Sequence, residues 1–259
     1  MNTHLFVNEM KLQWYEMRQY WFETLSGLFF ITGIFLGLFY GIKGFVLEQG
    51  DGQSLDGLLL GFLLWTFASG AYGSVTKSVI EDTQKGYIEQ LFLCPNGFIS
   101  LILYRSLSES LVGLVLLTVI AYVVMAITGN WLTINFGYFY GILLLAAPSL
   151  VGFGLMISGL ALLFKRVETV GAMLTLALMG LVALDGLPLN AFTFLPFVSG
   201  ASLARDVVLD QNALRLDYVL IVIANSLVYL TGGIYMFKAF EKQAKKRNLI
   251  GQYLSLIPI

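Results

Sequence analysis

The chain has 259 residues, of which 58% are hydrophobic and only 12% are charged. Soluble domains usually have about 25% charged residues, so the composition indicates an integral membrane protein, and we treat residues 1–259 as one membrane domain. The formal net charge of −1 gives no electrostatic reason to bind nucleic acid. One cysteine and one histidine are too few for a structural metal site or an intramolecular disulfide.

The first predicted element, residues 1–23, is an amphipathic helix. Val7, Trp14 and Trp21 belong to an apolar stripe whose members recur every three or four residues, and Glu9 lies on the opposite face. We expect this helix to lie flat in the cytoplasmic membrane interface, with its indole rings at the depth of the lipid headgroups. Charged residues interrupt the segment too early for the apolar core of a signal peptide.

Six transmembrane helices are predicted from uncharged stretches long enough to cross about 30 Å of hydrocarbon, which takes about 20 residues. The longest stretch is divided in two by a turn at residues 129–131. The fifth stretch is short, and we expect it to extend back through Val167. The predicted spans are residues 24–42, 57–76, the two halves of 110–164, 169–184 and 218–237.

Residues 186–204 are apolar enough to suggest a seventh span, but two prolines there would each remove a backbone hydrogen bond. With six spans, only Lys43, Arg205 and Arg215 among the basic residues fall on the opposite side from the rest. The positive-inside rule then places both termini on the cytoplasmic side of the membrane, which we expect to be the cell (plasma or inner) membrane. We predict that residues 186–217 are extracellular and contain two re-entrant helices that dip into the outer leaflet.

The segment EDTQKGYIEQLFLCP, residues 81–95, is a polar island between the second and third spans. Ile88, Leu91 and Phe92 fall on one helical face and Glu89 on another, until a proline ends the pattern. This predicts a short amphipathic helix on the cytoplasmic side, parallel to the membrane. The alternative is a simple elbow that buries its leucine and phenylalanine in lipid.

This island resembles the coupling segment of type-2 permeases of ATP-binding-cassette (ABC) transporters, which has the pattern G-[ST]-x-E-x-L-x-x-[ST]-P. Tyr87 and Cys94 stand where the pattern has small hydroxyl residues, so any helix cap that those hydroxyls provide is either absent here or supplied by other groups. The residues that carry the resemblance are Gly86, Glu89, Leu91 and Pro95, with Glu81 at the acidic position that often precedes them.

The resemblance implies an interfacial helix, six spans, a cytoplasmic coupling helix, a re-entrant helix pair before the last span and a basic tail. It also implies a separate ATPase subunit that binds ATP and magnesium, and a second copy of this chain or a related permease. The chain has no G-x-x-x-x-G-K-[ST] loop, so we expect a non-catalytic subunit without a cofactor of its own. The residues assigned to coupling are Glu81, Gly86, Ile88, Glu89, Leu91, Phe92 and Pro95.

Two pairs of residues in the spans are further candidates. Arg105 and Glu109 lie one helical turn apart near the cytoplasmic end of the third span. Each would be costly in lipid unless paired, so we expect a structural ion pair, with a proton relay as the alternative. Trp65 and Phe67 are candidates for a path that an apolar or flat substrate follows, although most aromatic residues of such a chain belong to the interfacial belts or the core.

Two glycine patterns predict where helices approach each other closely. Gly33, Gly37 and Gly41 recur every four residues in the first span, and Gly137 and Gly141 begin the fourth. Small residues let two helix backbones come together in a membrane. We therefore expect helix packing at both places.

The function predicted from the sequence is that of the membrane-spanning permease subunit of an ATP-driven exporter, moving a drug-, peptide- or lipid-like substrate outward. The N-terminal region lacks the L-G-x-L-W string typical of permeases that export polysaccharides, which remain an alternative. A secondary transporter subunit is the other alternative; such proteins typically have interrupted helices around an ionisable group at the midplane, whereas here only residues 186–204 are interrupted and no span carries a central charge. A membrane-embedded enzyme would have a constellation such as H-E-x-x-H, and the chain has neither pattern.

Overall fold

The computed structural model describes residues 3–46, 53–84, 91, 94, 97–129, 131–164 and 168–246, which form helices and loops without any strand. Apolar side chains around most of the longest helices suit an environment in which the backbone must satisfy its own hydrogen bonds. The chain is all-helical over these ranges, as predicted. In order, the helices are α1 (Thr3–Gln19), α2 (Trp21–Val46), α3 (Gln53–Gln84), α4 (Phe98–Thr128), α5 (Phe136–Ala161), α6 (Glu168–Ala183), a 3₁₀ helix (Ala191–Phe194), α7 (Val198–Val208) and α8 (Leu216–Lys246).

Five of the described helices are long and apolar enough to cross a membrane, which supports a multi-pass membrane protein. The predicted fifth span corresponds to α6, whose apolar part, Thr169–Ala183, is shorter than the about 20 residues of a full crossing. That α6 crosses the membrane, and with it the total of six spans, therefore stays a prediction. The five candidate spans are Trp21–Gly41, Asp56–Thr83, Phe98–Thr128, Phe136–Ala161 and Leu216–Lys246.

Two helices extend further than the uncharged stretches indicate. The second span was predicted to end at residue 76, but α3 continues to Gln84, and α4 already begins at Phe98. Lysine and glutamate are good helix formers, so a helix can leave the hydrocarbon and continue in water without a break. The predicted turn at residues 129–131 is confirmed at Gly129, whose left-handed conformation (φ 75°) ends α4.

The segment before the last span contains no described helix of span length. Asn190 caps the 3₁₀ helix by accepting hydrogen bonds from the backbone N–H groups of Phe192 and Thr193. The 11-residue helix α7 follows, and the Phe197 N–H just before it donates to the Ser149 hydroxyl of α5, 3.1 Å away. The short helices agree with the predicted pair in kind, and their entry into the outer leaflet stays a prediction.

The centre of the bundle is formed by α3 and α5, and α8 packs along α5. The contact between α5 and α8 is so close that a Cβ at Gly152 would collide with the Tyr229 carbonyl, and one at Gly233 with the Gly152 carbonyl. The Ser226 hydroxyl also donates across this contact to the Leu145 carbonyl, 2.7 Å away. Glycines and a serine thus bring two backbones together, as is common between membrane helices.

The close approach predicted at the other glycines is wrong within this chain. Among the described residues, a Cβ added to Gly33, Gly37, Gly41 or Gly141 would have no neighbour within 4 Å, and one at Gly137 would meet a side chain only at 3.4 Å. The first three lie on the exposed face of α2. A regular glycine spacing shows that a helix has a smooth face, but it does not identify the neighbour against which that face packs.

Helix α1 lies against α4 with its polar side inward. Glu9 is 7% exposed, whereas Val7 and Trp14 on the apolar stripe are 43% and 61% exposed. The amphipathic pattern therefore divides a protein-facing polar side from an outward apolar side. This arrangement suits a helix at the membrane interface, which remains a prediction.

Candidate functional site

The predicted coupling segment, residues 81–95, is described only at residues 81–84, 91 and 94. Glu81 lies near the end of α3, with its carboxylate 3.8 Å from the Lys77 ammonium one turn earlier, so this residue belongs to the extended α3 helix. Leu91 and Cys94 are also described. The predicted coupling residues outside the described residues are Gly86, Ile88, Glu89, Phe92 and Pro95.

The described end of this segment is fastened to the bundle. Leu91 packs against a group of apolar side chains from α3, α4, α5 and α8, called here the end cluster. The Cys94 N–H donates to the Leu91 carbonyl at 3.1 Å, and the Gly97 N–H donates to the Cys94 carbonyl at 2.9 Å. A displacement of Leu91 would therefore be transmitted to four helices. The end cluster consists of Val75, Val79, Phe98, Ile102, Val151, Leu155, Leu162, Phe237 and Ala244.

Arg105 joins three helices near this end of the bundle. Its guanidinium lies 3.6 Å from the Glu9 carboxylate of α1 and 3.4 Å from the Asp82 carboxylate of α3. One of its terminal nitrogens also donates to the Ser78 hydroxyl at 2.5 Å. The Arg105 side chain is 22% exposed, and the side chains of its two acidic partners are 9% and 21% exposed. These charges are therefore largely shielded from water, and the attraction between opposite charges is stronger there than in water.

Arg105 was predicted to pair with Glu109, and the structure gives it other ion-pair partners. The Glu109 carboxylate instead accepts a hydrogen bond from the Gln13 side-chain amide at 3.2 Å. Helix α1 passes beside α4, so its own acid at position 9 reaches the guanidinium. An ion-pair prediction made within one helix cannot account for a carboxylate supplied by a neighbouring helix.

Two side-chain contacts, one helical turn apart, connect α1 and α4. Glu9 and Gln13 are one turn apart on α1, and Arg105 and Glu109 are one turn apart on α4, so each residue of one pair meets a residue of the other. Sequence reasoning missed Glu9 and Gln13 because it placed the polar side of α1 toward water. The matching spacing of four in two amphipathic stretches is the signal that could have identified the contact.

A polar cavity of about 690 Å³, called here the vestibule, opens between α1, α3 and α4. Of the described residues, four carboxylates and two cations line it, and Arg105, Glu109 and Lys77 are among them. A second, mostly apolar cavity of about 460 Å³, called the chamber, lies between α2, α3 and α4. The residues that line both cavities are Thr24, Ser69, Gly70, Glu109, Gly113 and Leu116.

The two candidate path residues lie on the same helix in different surroundings. Phe67 is 5% exposed, lines the chamber and lies 6.2 Å from the Phe197 ring, centroid to centroid. The Trp65 indole N–H donates to the Thr175 carbonyl of α6 at 3.2 Å, which ties α3 to α6. The structure therefore puts Phe67 beside a cavity and Trp65 in a helix contact. Within the described ranges, no three histidine, cysteine or acidic side chains converge as metal ligands.

Comparison with known proteins gives one match. A family model described as ABC-2 type transporter matches residues 5–183, which is more than half of the chain and runs from α1 to the end of α6. No curated protein and no solved structure matches the chain. The matched region contains α1, both helices that flank the predicted coupling segment and both cavities. The chain therefore belongs to the ABC-2 type transporter family of membrane-spanning permeases, which implies a partner ATPase.

Proposed function

We propose that this chain is the permease subunit of an ATP-driven exporter that moves a drug-, peptide- or lipid-like substrate outward. The observation that carries the proposal is the family match across α1 to α6, combined with the coupling motif between α3 and α4. Two copies, or this chain and a related permease, form the translocation unit with two ATPase subunits. Both chain termini and the coupling segment face the cytoplasm.

The contacts around the coupling segment support this role. Leu91 packs on the end cluster, which contains side chains from four helices, and within it the rings of Phe98 and Phe237 stack with centroids 5.5 Å apart. A force applied to the segment by an ATPase subunit would reach α3 and α4 directly, because the segment connects them. It would reach α5 and α8 through packing, since a closely packed core moves as a unit.

Arg105 offers a second route from the coupling segment into the bundle. The segment follows α3, and Asp82 near the end of α3 lies within 3.4 Å of Arg105, which in turn lies within 3.6 Å of Glu9 on α1. A movement of the end of α3 therefore changes the contacts that hold α1. We propose that ATP binding and hydrolysis in the partner shift the ends of α1, α3 and α4 that meet at Arg105 together as one group.

The experiment that tests the function is reconstitution with an ABC ATPase of the same cell. Co-purified complex, isolated permease and isolated ATPase are placed in liposomes, and ATP hydrolysis is measured for each. We expect the two polypeptides to co-purify, the isolated permease to show background hydrolysis, and the complex to exceed the isolated ATPase. A complex whose ATPase carries a substituted nucleotide-binding lysine is the control for contaminating hydrolysis.

Two results would contradict the proposal. One is ATP turnover by the isolated permease that survives stringent purification, because the chain lacks the phosphate-binding loop. The other is failure of the folded permease to bind any ABC ATPase of the same cell.

A further inference from the structure

The vestibule and the chamber are two parts of one cleft, because six residues line both. Their volumes, about 690 Å³ and 460 Å³, fall in the range of roughly 300 to 1,000 Å³ that is usual for sites of drug-sized ligands. The two parts differ in chemistry. Charged side chains are frequent around the vestibule, whereas Glu109 is the one charged side chain among the described residues that line the chamber. The cleft is therefore amphipathic along its length.

Glu109 stands at the junction of the two parts. With a rise of about 1.5 Å per residue it lies about 28 Å from the Thr128 end of α4, so with that end at the outer interface it marks the inner edge of about 30 Å of hydrocarbon. Within the described part of the chain, its one hydrogen-bond partner is the Gln13 amide, and it has no ion pair within 4 Å. Ionisable groups at such a depth are costly and usually belong to substrate or ion pathways.

Among the described residues, the charge around the cleft is not balanced. Both described cations of the vestibule already face carboxylates, since Lys77 lies 3.8 Å from Glu81 and Arg105 lies between Glu9 and Asp82. The excess over these residues is negative, because four described carboxylates and two described cations line the vestibule and Glu9 adds a fifth carboxylate beside Arg105. A neutral amide offers Glu109 far less compensation than a cation would.

Unused hydrogen-bonding groups lie on the same walls. The buried hydroxyl oxygens of Thr66 and Ser69, two residues that line the chamber, have no hydrogen-bond partner in the described ranges. Unpaired buried polar groups are rare in folded proteins because each one loses its hydration. Together with the carboxylate, they indicate a site shaped for a ligand that is not part of this chain.

We propose that the cleft is a binding site for an amphiphilic organic cation, with the charged group of the ligand at Glu109 and its apolar body in the chamber beside Phe67. The assignment rests on the proposed function in that it names the substrate class of the exporter. The vestibule admits the ligand from the side of α1, and the chamber receives the part that leaves water. An acidic junction repels anions of the same shape, so the sign of the charge decides binding.

The test uses two probes of nearly equal size and opposite charge, tetraphenylphosphonium and tetraphenylborate. The full-length permease, without any ATPase, is placed in nanodiscs of zwitterionic lipid, and saturable binding is measured against empty nanodiscs. We expect the phosphonium to bind and the borate to compete at least tenfold less well. The Glu109→Gln variant keeps the size of the side chain and its ability to accept from Gln13, and we expect it to lose about tenfold or more in phosphonium affinity.

Matched variants distinguish the effects of charge and of cleft volume on phosphonium binding from a general loss of folding. Gln13→Leu removes the hydrogen bond to Glu109 but keeps the carboxylate, so the preference for the cation should persist. Gly113 lines both parts, and Gly180 lies on the exposed face of α6, and a Cβ at either would meet nothing within 4 Å. Gly113→Leu should therefore lower phosphonium affinity about tenfold, while Gly180→Leu should stay within about twofold of wild type.

Three results would overturn the proposal: equal affinity for the two probes, unchanged phosphonium binding in folded Glu109→Gln, or no saturable binding by the folded wild-type permease. If Glu109→Gln does not fold, the comparison of Gly113→Leu with Gly180→Leu decides in its place, and equal affinities in those two variants would also overturn it. Because the ATPase is absent, these results are independent of the proposed function. If the permease binds the cation but binds no ATPase, the proposed binding site is supported and the proposed function as an ATP-driven exporter is contradicted.

Discussion

The guanidinium of Arg105 lies 3.6 Å from the carboxylate of Glu9, and this contact fastens the N-terminal helix α1 to α4. The same guanidinium holds Asp82 of α3 at 3.4 Å. One side chain thus connects three helices next to the predicted coupling segment, which makes it a sensitive position for both stability and coupling.

Replacing Arg105 by alanine should destabilise the protein strongly. The change leaves two shielded carboxylates without their cation, and breaking a buried ion pair typically costs 3 to 5 kcal/mol. Because Arg105 is 22% exposed, we expect about 3 kcal/mol, visible as a lower unfolding temperature of the detergent-solubilised chain. The control is Lys77→Ala, since Lys77 is 79% exposed and exposed pairs contribute less than about 1 kcal/mol. Equal unfolding temperatures for the two variants would contradict the role given to Arg105.

The attachment of α1 should weaken as the pH rises. Burial raises the pKa of the Glu9 carboxyl above its ordinary value, with Arg105 acting in the opposite direction. A carboxyl whose pKa is higher in the docked state binds its proton more tightly there, so protonation favours docking. This contribution is complete below the ordinary pKa of about 4.3, and it is lost as the pH rises through the higher pKa. Spin labels at Lys11 and Leu107, both exposed, report the separation of α1 from α4 in a Cys94→Ser background.

We expect the distance distribution between these labels to broaden as the pH rises from below the ordinary pKa of the Glu9 carboxyl through its raised pKa. In Glu9→Gln the change should be smaller, because the titrating group is gone while the side chain keeps its size. An identical pH response in wild type and Glu9→Gln would assign the effect to another group.

The helices could be predicted from the sequence because hydropathy alone forces them in a membrane. The end of α4 at Gly129 was predictable for a similar reason, since glycine readily adopts the left-handed conformation that ends a helix. Contacts between helices were not predictable in this way. Arg105 has its partners on α1 and α3, and the close glycine contact lies at Gly152 and Gly233, because each depends on which helices become neighbours.

A larger side chain at Gly152 should separate α5 from α8. A Cβ there would overlap the Tyr229 carbonyl, and backbone cannot move aside as a flexible side chain can. Overpacking a close contact typically costs 1 to 3 kcal/mol, so we expect Gly152→Ala to lower the unfolding temperature measurably. Gly37→Ala is the matched control, because a Cβ at Gly37 meets nothing within 4 Å. A Gly152→Ala variant as stable as Gly37→Ala would show that the two helices are not in this close contact.

The six-span topology predicts that the loop between α7 and α8 is extracellular. Asn212 is exposed in this loop, where its side-chain amide donates to Asp206 at 2.8 Å. In a Cys94→Ser background, Asn212→Cys should react with a membrane-impermeant maleimide added to intact cells. Gln243→Cys, at an exposed position near the end of α8, should react only after the membrane is opened. Labelling of position 212 from the cytoplasmic side alone would contradict the six-span arrangement.

The coupling role rests most directly on Glu89, because the sequence pattern puts its carboxylate on a different helical face from the apolar residues. If that face meets the ATPase, Glu89→Ala should leave the unfolding free energy within about 0.5 kcal/mol of wild type. Truncating one partner of a buried interfacial charge pair costs about 2 to 5 kcal/mol of binding free energy. We therefore expect Glu89→Ala to lose most of the ATPase that co-purifies with the permease.

Leu91→Ala is the variant to compare with it, because Leu91 packs against the end cluster of the permease itself. Since Leu91 is only partly buried, its truncation should cost about 2 kcal/mol of unfolding free energy, the low end of the range for leucine, and should reduce assembly only through this loss. The two variants thus separate a contact with the ATPase from a contact within the permease. If Glu89→Ala and Glu89→Lys both kept wild-type assembly and ATPase stimulation, Glu89 would face water and the segment would be a simple elbow between α3 and α4.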